Sequence, residues 1–140
     1  MSTTVPSSAD RPPPAERTAP IGDPVVVLAD DLIWSSRLVT QLTSMGARPV
    51  PVRSAEAFAA ALLDADHAIV DLTARAYDGL AQVAVAAAAG CAVLAVAQHD
   101  DVESRRRALA SGAQQVHPYR RLFESGPRVL KRWLDAGDPR

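Results

Sequence analysis

Residues 67–79 read HAIVDLTARAYDG. The stretch opens on a continuous apolar run, Ala68-Ile69-Val70, stops at a carboxylate, Asp71, and crosses a short loop containing Asp78-Gly79. A run that is continuous rather than alternating suits a strand buried on both faces, as in a parallel sheet. The alanine-rich segment from Leu80 to Ala89, closed by Gly90, then reads as a helix.

The same unit recurs on either side. Upstream, Val25 to Ala29 is a β-branched run ending at Asp30-Asp31, followed by a helical stripe of Trp34, Leu38, Leu42 and Met45 that stops at Gly46. Pro49-Val50-Pro51-Val52 is expected at a sheet edge, because proline donates no ladder hydrogen bond. Ser54 is placed to cap a second helix with Phe58, Leu62 and Leu63 inward. Downstream, Cys91 to Ala97 is the most hydrophobic strand and is expected to be central. Asp100 or Asp101 would cap a helix to Ser111, and Gln114 to His117 forms a short last strand. Gly126-Pro127 restarts a final helix with Val129, Leu130, Trp133 and Leu134 inward. Five βα units force crossover connections, hence an α/β fold: a five-stranded parallel sheet with helices on both faces, flavodoxin-like.

The chain of 140 residues and 14.8 kDa fits one domain, expected over residues 21–137. Residues 1–20 are proline-rich with almost nothing apolar to bury, and a disordered tail without its own function is expected. The single Cys91 excludes an internal disulfide framework and any C-x-x-C metal or redox motif. No apolar run approaches the roughly 18 residues of a membrane span, and no signal-peptide build is present, so a cytoplasmic protein is expected. No glycine-rich loop follows the first strand, which excludes a nucleotide site of that kind. Only one of the fifteen basic residues is lysine, Lys131, so no mechanism can use a lysine elsewhere.

In a parallel sheet, ligands sit beyond the carboxyl ends of the strands. There the sequence puts Asp30, Asp31 and Asp71. If their strands are neighbours, three carboxylates converge, an arrangement that suits a hard divalent ion and a nucleophilic carboxylate acting on phosphorus. At this point the chain resembles the receiver domain of bacterial response regulators. That family has an acidic pair after strand one, a phosphoacceptor aspartate ending strand three and an aspartate-glycine pair seven residues on, here Asp30-Asp31, Asp71 and Asp78-Gly79. Ser111-Gly112-Ala113 also resembles the family's turn before strand five. The resemblance covers about residues 24–136. It implies a receiver fold, Asp71 as phosphoacceptor, and weak Mg²⁺ binding by Asp30, Asp31, Asp71 and Thr73.

The departures are as specific. The family's switch Ser or Thr at the end of strand four falls on Ala97. The lysine ending its strand five has no counterpart: an ungapped alignment puts Tyr119 there, and one with two residues deleted puts His117-Pro118-Tyr119 in place of lysine-proline-aromatic. The gapped alignment is preferred, since it keeps proline after a potential cation. Arg75 stands where the family has a proline, and reads as a solvated loop charge. Each missing charge-assisted donor removes roughly 1.5–3 kcal/mol from a phosphate site, so a degenerate switch is expected at Ala97, His117 and Tyr119.

Charge is unevenly spread. Residues 1–100 hold six basic and eleven acidic side chains, and residues 101–140 hold nine and five. Arg105, Arg106, Arg120, Arg121 and Arg128 map to the fourth helix, fifth strand and fifth helix. The resemblance makes that face a site for a protein partner or a homodimer, and nucleic acid is not expected without aromatics to stack. The expected function is a stand-alone receiver-like protein of two-component phosphorelay signalling, served by a histidine kinase or phosphotransfer protein. It has no enzymatic activity of its own; Asp71-Leu72-Thr73 lacks the second aspartate of an Asp-x-Asp phosphatase. The alternative is a phosphorylation-independent pseudo-receiver, an interaction adaptor.

Overall fold

The computed structural model describes residues 22–98 and 102–136. The tail and the expected cap at Asp100 or Asp101 lie outside the described residues. Ten elements alternate along the chain: β1 (Pro24–Leu28), α1 (Leu32–Ser44), β2 (Arg48–Val52), α2 (Ala55–Leu62), β3 (His67–Asp71), α3 (Gly79–Ala88), β4 (Ala92–Ala97), α4 (Val102–Ser111), β5 (Gln115–Pro118) and α5 (Tyr119–Asp135). The five strands form one parallel sheet in the order β2-β1-β3-β4-β5. The α/β fold expected from the sequence is therefore the one observed.

Strand periodicity sorts the core into two layers. Val25, Val27, Ile69, Leu94 and Val96 face α1 and α5, against Trp34, Leu38, Leu42, Leu122 and Trp133. The alternate residues Val26, Leu28, Val70, Val93 and Ala95 face Phe58, Leu62, Val83, Ala86 and Ala108 of α2, α3 and α4. All six residues of β4 are buried, although β3, not β4, is the middle strand. The edge strand β2 explains its prolines. Arg48 donates to Asp23 and Val52 accepts from Ala29, so the even-numbered residues bond to β1. Pro49 and Pro51 then fall where an N–H would point away from the sheet.

Helix ends follow local chemistry. Asp31 caps α1 by accepting from the N–H groups of Ile33 and Trp34 at 3.0 and 3.1 Å, Ser54 caps α2, and Asp78 caps α3. Gly79 starts α3 so close to the preceding loop that a Cβ would lie 2.8 Å from Leu72 Cα. The Asp78-Gly79 pair is thus a cap followed by a close backbone approach.

One expectation about helices is corrected and one is extended. Leu63 does not face inward: α2 ends at Leu62, and Leu63, the residue that caps it, is 85% exposed. Helical structure also starts earlier than expected, at Tyr119 directly after β5; it breaks at Ser125, and the helix expected from Gly126-Pro127 restarts there. Pro127 has no N–H for the Phe123 carbonyl one turn back, and beside that position the Leu122 carbonyl accepts from Gln41 Nε2 at 3.2 Å. Gly126 lets α5 settle on the Gln41 side chain of α1. Val129, Leu130 and Trp133 face inward as expected, and Leu134 packs at the margin.

Gly79→Ala is expected to lower the unfolding free energy by roughly 1–3 kcal/mol, because the obstacle is backbone that cannot rotate away. Urea unfolding checks this, with a lower midpoint at unchanged slope. A second outcome concerns pH. Burial lowers the pKa of His67, with Asp66 and Asp23 opposing it, and lowers that of His117, where Arg121 and Arg105 add to it. A histidine depressed in the folded state lets the unfolded chain bind protons first. The stability it contributes is therefore whole above the unfolded value of about 6.5 and is lost as pH falls through the folded-state value. The melting temperature should drop between pH 7.5 and pH 5.5, and the drop should shrink in the double variant His67→Phe with His117→Gln; an undiminished drop would refute this account.

Candidate functional site

β1 and β3 are adjacent, so the residues after Leu28 and at Asp71 share the carboxyl end of the sheet. Asp71 ends the middle strand and is only 1% exposed. Its Oδ1 accepts from the backbone N–H and the hydroxyl of Thr73, at 2.9 and 2.8 Å. The Thr73 hydroxyl has one proton, and an ionised carboxylate can only accept it. The 2.7 Å contact between Thr73 Oγ1 and the Tyr119 hydroxyl is therefore donated by tyrosine. A chain of donors runs from the Tyr119 phenol through Thr73 to Asp71. Burial raises the Tyr119 pKa, as does the neighbouring Asp71 carboxylate, so the phenol keeps its proton.

The other acids are held separately. Asp30 Oδ2 accepts the backbone N–H of Arg75 at 3.2 Å, so Arg75 enters the site through its main chain while its side chain is exposed. Asp31 spends Oδ1 on the α1 cap. The three carboxylates share one end of the sheet, yet among the described residues no three such side chains stand together as metal ligands. The donor set itself, hard carboxylate oxygens with one oxygen each of Asp30 and Asp31 outside these bonds, suits Mg²⁺.

Sequence reasoning missed Tyr77. Its hydroxyl lies 3.0 Å from the Leu28 carbonyl and 2.9 Å from the Asp71 carbonyl, tying the ends of β1 and β3 together beneath the acids. Burial raises its pKa, with Asp71 and Asp30 adding to the effect, so this phenol also stays protonated. The only signal in the sequence is one large aromatic in a loop of otherwise small or charged residues.

The positions that differ from the receiver pattern are now located. Ala97 ends β4, buried beside Pro118 of β5. His117, the residue the preferred gapped alignment puts at the lysine position, lies on β5, separated from Asp71 by β4. Its Nε2 lies 2.9 Å from Gln115 Oε1, and its ring borders a cavity of about 410 Å³ with Arg105, Arg120 and Arg121. Burial, then Arg121 and Arg105, hold its pKa down and disfavour the imidazolium. Tyr119 is the residue that reaches the acid, because β5 runs without a gap through Pro118 into α5.

The basic face is less free than its sequence suggests. Arg106 pairs with Glu103 at 2.8 Å within α4 and Arg120 with Glu124 at 3.1 Å within α5, all exposed, so each pair is weak and readily exchanged. Arg121 and Arg128 are exposed on α5.

No family model matches the sequence, and no curated protein matches it. Solved structures do. The BeF3-activated receiver domain of DrrB superposes with a TM-score of 0.73 at 17% identity, covering 81% of this chain and 98% of that one. A CheY-like response regulator receiver domain protein from Methanospirillum hungatei gives 0.65 at 17%, covering 83% and 99%. A response regulator from Burkholderia pseudomallei, solved with a phosphorylated aspartic acid, a calcium ion and citrate, gives 0.63 at 12%, covering 84% and 75%. The chain has the fold of response-regulator receiver domains.

Proposed function

We propose that the protein is a receiver-like component of two-component signalling. Asp71 is the phosphoacceptor, a histidine kinase or phosphotransfer protein is the donor, and output passes through protein contacts in the cytoplasm rather than through an enzymatic activity. The observation that supports this best is Asp71 itself, a buried carboxylate ending the middle strand with Asp30 on the adjoining loop. In the transfer an Asp71 oxygen forms the new bond to phosphorus as the donor's phosphorus–nitrogen bond breaks. Mg²⁺, when bound by Asp30, Asp31 and Asp71, would neutralise charge on the phosphoryl oxygens. The Thr73 N–H and hydroxyl hold Asp71 in place and stabilise its negative charge.

Readout is weakened in this reading. Ala97 offers a methyl group, and Tyr119 a neutral donor engaged with Thr73, where the family has a hydroxyl and an ammonium. A modification shifts a two-state equilibrium only through contacts that differ between the states. The arginine-rich face of α4, β5 and α5 is the proposed docking surface for an acidic partner or a second copy. A second reading, a phosphorylation-independent adaptor, is favoured by the donor chain that already occupies Asp71 Oδ1.

Incubation with Mg²⁺ and acetyl phosphate, followed by intact-mass measurement, separates the two. A slow, partial gain of one phosphoryl group, abolished in Asp71→Asn, is expected; no gain over hours would leave the adaptor. The double variant Ala97→Thr with Tyr119→Lys should label about tenfold faster or more, the equivalent of one restored charge-assisted donor. In the natural chain, beryllofluoride should leave the amide resonances of α4 and β5 nearly unmoved. Shifts of many residues there would overturn the weakened-switch reading.

A further inference from the structure

Beside the acids, between α1 and the start of α5, lies an open cavity of about 450 Å³. That volume falls in the range of small-molecule sites. Its walls are aromatic. Tyr119 meets Trp34 edge-on at 4.9 Å and lies nearly parallel to Phe123 at 6.4 Å, with an interplanar angle of 19°. Two apolar side chains at its rim are open to solvent, Ile33 at 75% and Phe123 at 42% exposure. Ile33 is largely uncovered, and Phe123 keeps an open part beside its contacts with Tyr119 and Arg37.

Polar groups of opposite sign stand among these rings. Arg37 lines the cavity with its guanidinium 4.8 Å from the centre of the Phe123 ring, and among the described residues no carboxylate pairs with it. Asp31 also lines the cavity and, with Oδ1 committed to the helix cap, keeps Oδ2 for an incoming donor. The two are six residues apart, roughly 9 Å along a helix. An unpaired guanidinium over an aromatic face prefers a planar carboxylate, and the remaining Asp31 oxygen takes a hydroxyl or amine proton.

We propose that this cleft binds a small aromatic carboxylate with a hydrogen-bond donor at its far end. The ring lies against Tyr119 and Phe123, the carboxylate pairs with Arg37, and the donor reaches Asp31. Occupation requires no chemistry at Asp71, but the ligand's donor and the Mg²⁺ of the proposed function draw on the same Asp31 oxygen, so binding is measured without Mg²⁺.

The test uses 3-(4-hydroxyphenyl)propionate and its uncharged amide as probes, with binding followed by two-dimensional amide and indole NMR. The acid should shift the Trp34 indole and the amides of residues 31–37, 73, 119 and 123. Arg37→Ala should weaken the acid about tenfold, the value of one charge-assisted contact, while leaving the amide unchanged. The acid should bind the natural chain with neither Mg²⁺ nor a phosphodonor present, so a failure of this proposal and a failure of labelling at Asp71 are read in separate experiments. Equal binding of acid and amide, an unaltered affinity in Arg37→Ala, or shifts outside the cleft would overturn the assignment. So would concentration-dependent broadening confined to these residues without probe, since the occupant would then be a second copy.

Discussion

Burial of the middle strands on both faces is the constraint from which the arrangement of this protein follows. Ala68, Ile69 and Val70 of β3 and all of β4 are enclosed between α1 and α5 on one side and α2, α3 and α4 on the other. An unpaired carboxylate in such an interior would cost several kcal/mol. Acidic side chains are therefore confined to strand ends, and parallel pairing delivers those ends to one edge. Asp71 sits at the limit of that rule. It is almost wholly buried, and its charge is held by two donors from Thr73.

The loops around Asp71 depend on two tyrosines with different duties. Tyr77 joins the carbonyls of Leu28 and Asp71, so the ends of β1 and β3 cannot separate without losing its hydrogen bonds. Tyr119 acts on the side chain instead, through Thr73, and couples the acid to the first turn of α5. Because the Tyr119 ring also touches Trp34 and Phe123, a displacement at Asp71 that broke the Thr73 contact would be felt in the cleft between α1 and α5. The cavity lined by His117 and the arginines uses other residues of α5 and is separate from that route.

Electrostatics on the basic face illustrates a general difference between counting charges and placing them. The excess of arginine after residue 100 suggested a strongly positive surface, yet Arg106 and Arg120 each meet a glutamate one helical turn away. Exposed pairs of this kind contribute little stability and cost little to exchange. They lower the local potential without removing the arginines as partners for an external acid.

What the sequence determined by itself was the alternation of elements and the ends of the strands. Continuous β-branched runs, helical stripes of apolar residues and the prolines of β2 act locally, so strand type, edge position and the aspartates at strand ends were legible without coordinates. The Asp78-Gly79 pair was legible as a motif, and its reason, a cap plus a close approach to Leu72, emerged only from packing. Only the tertiary structure decided which residue answers Asp71. His117 and Tyr119 are two positions apart, and sequence spacing could not choose between them. The choice was made by the unbroken run of β5 into α5, which turns His117 among the arginines and lays the Tyr119 ring over the carboxyl edge of the sheet. The outward placement of Leu63 and the helical start at Tyr119 were hidden for the same reason. They depend on where one element stops against another, a contact between residues far apart in the chain.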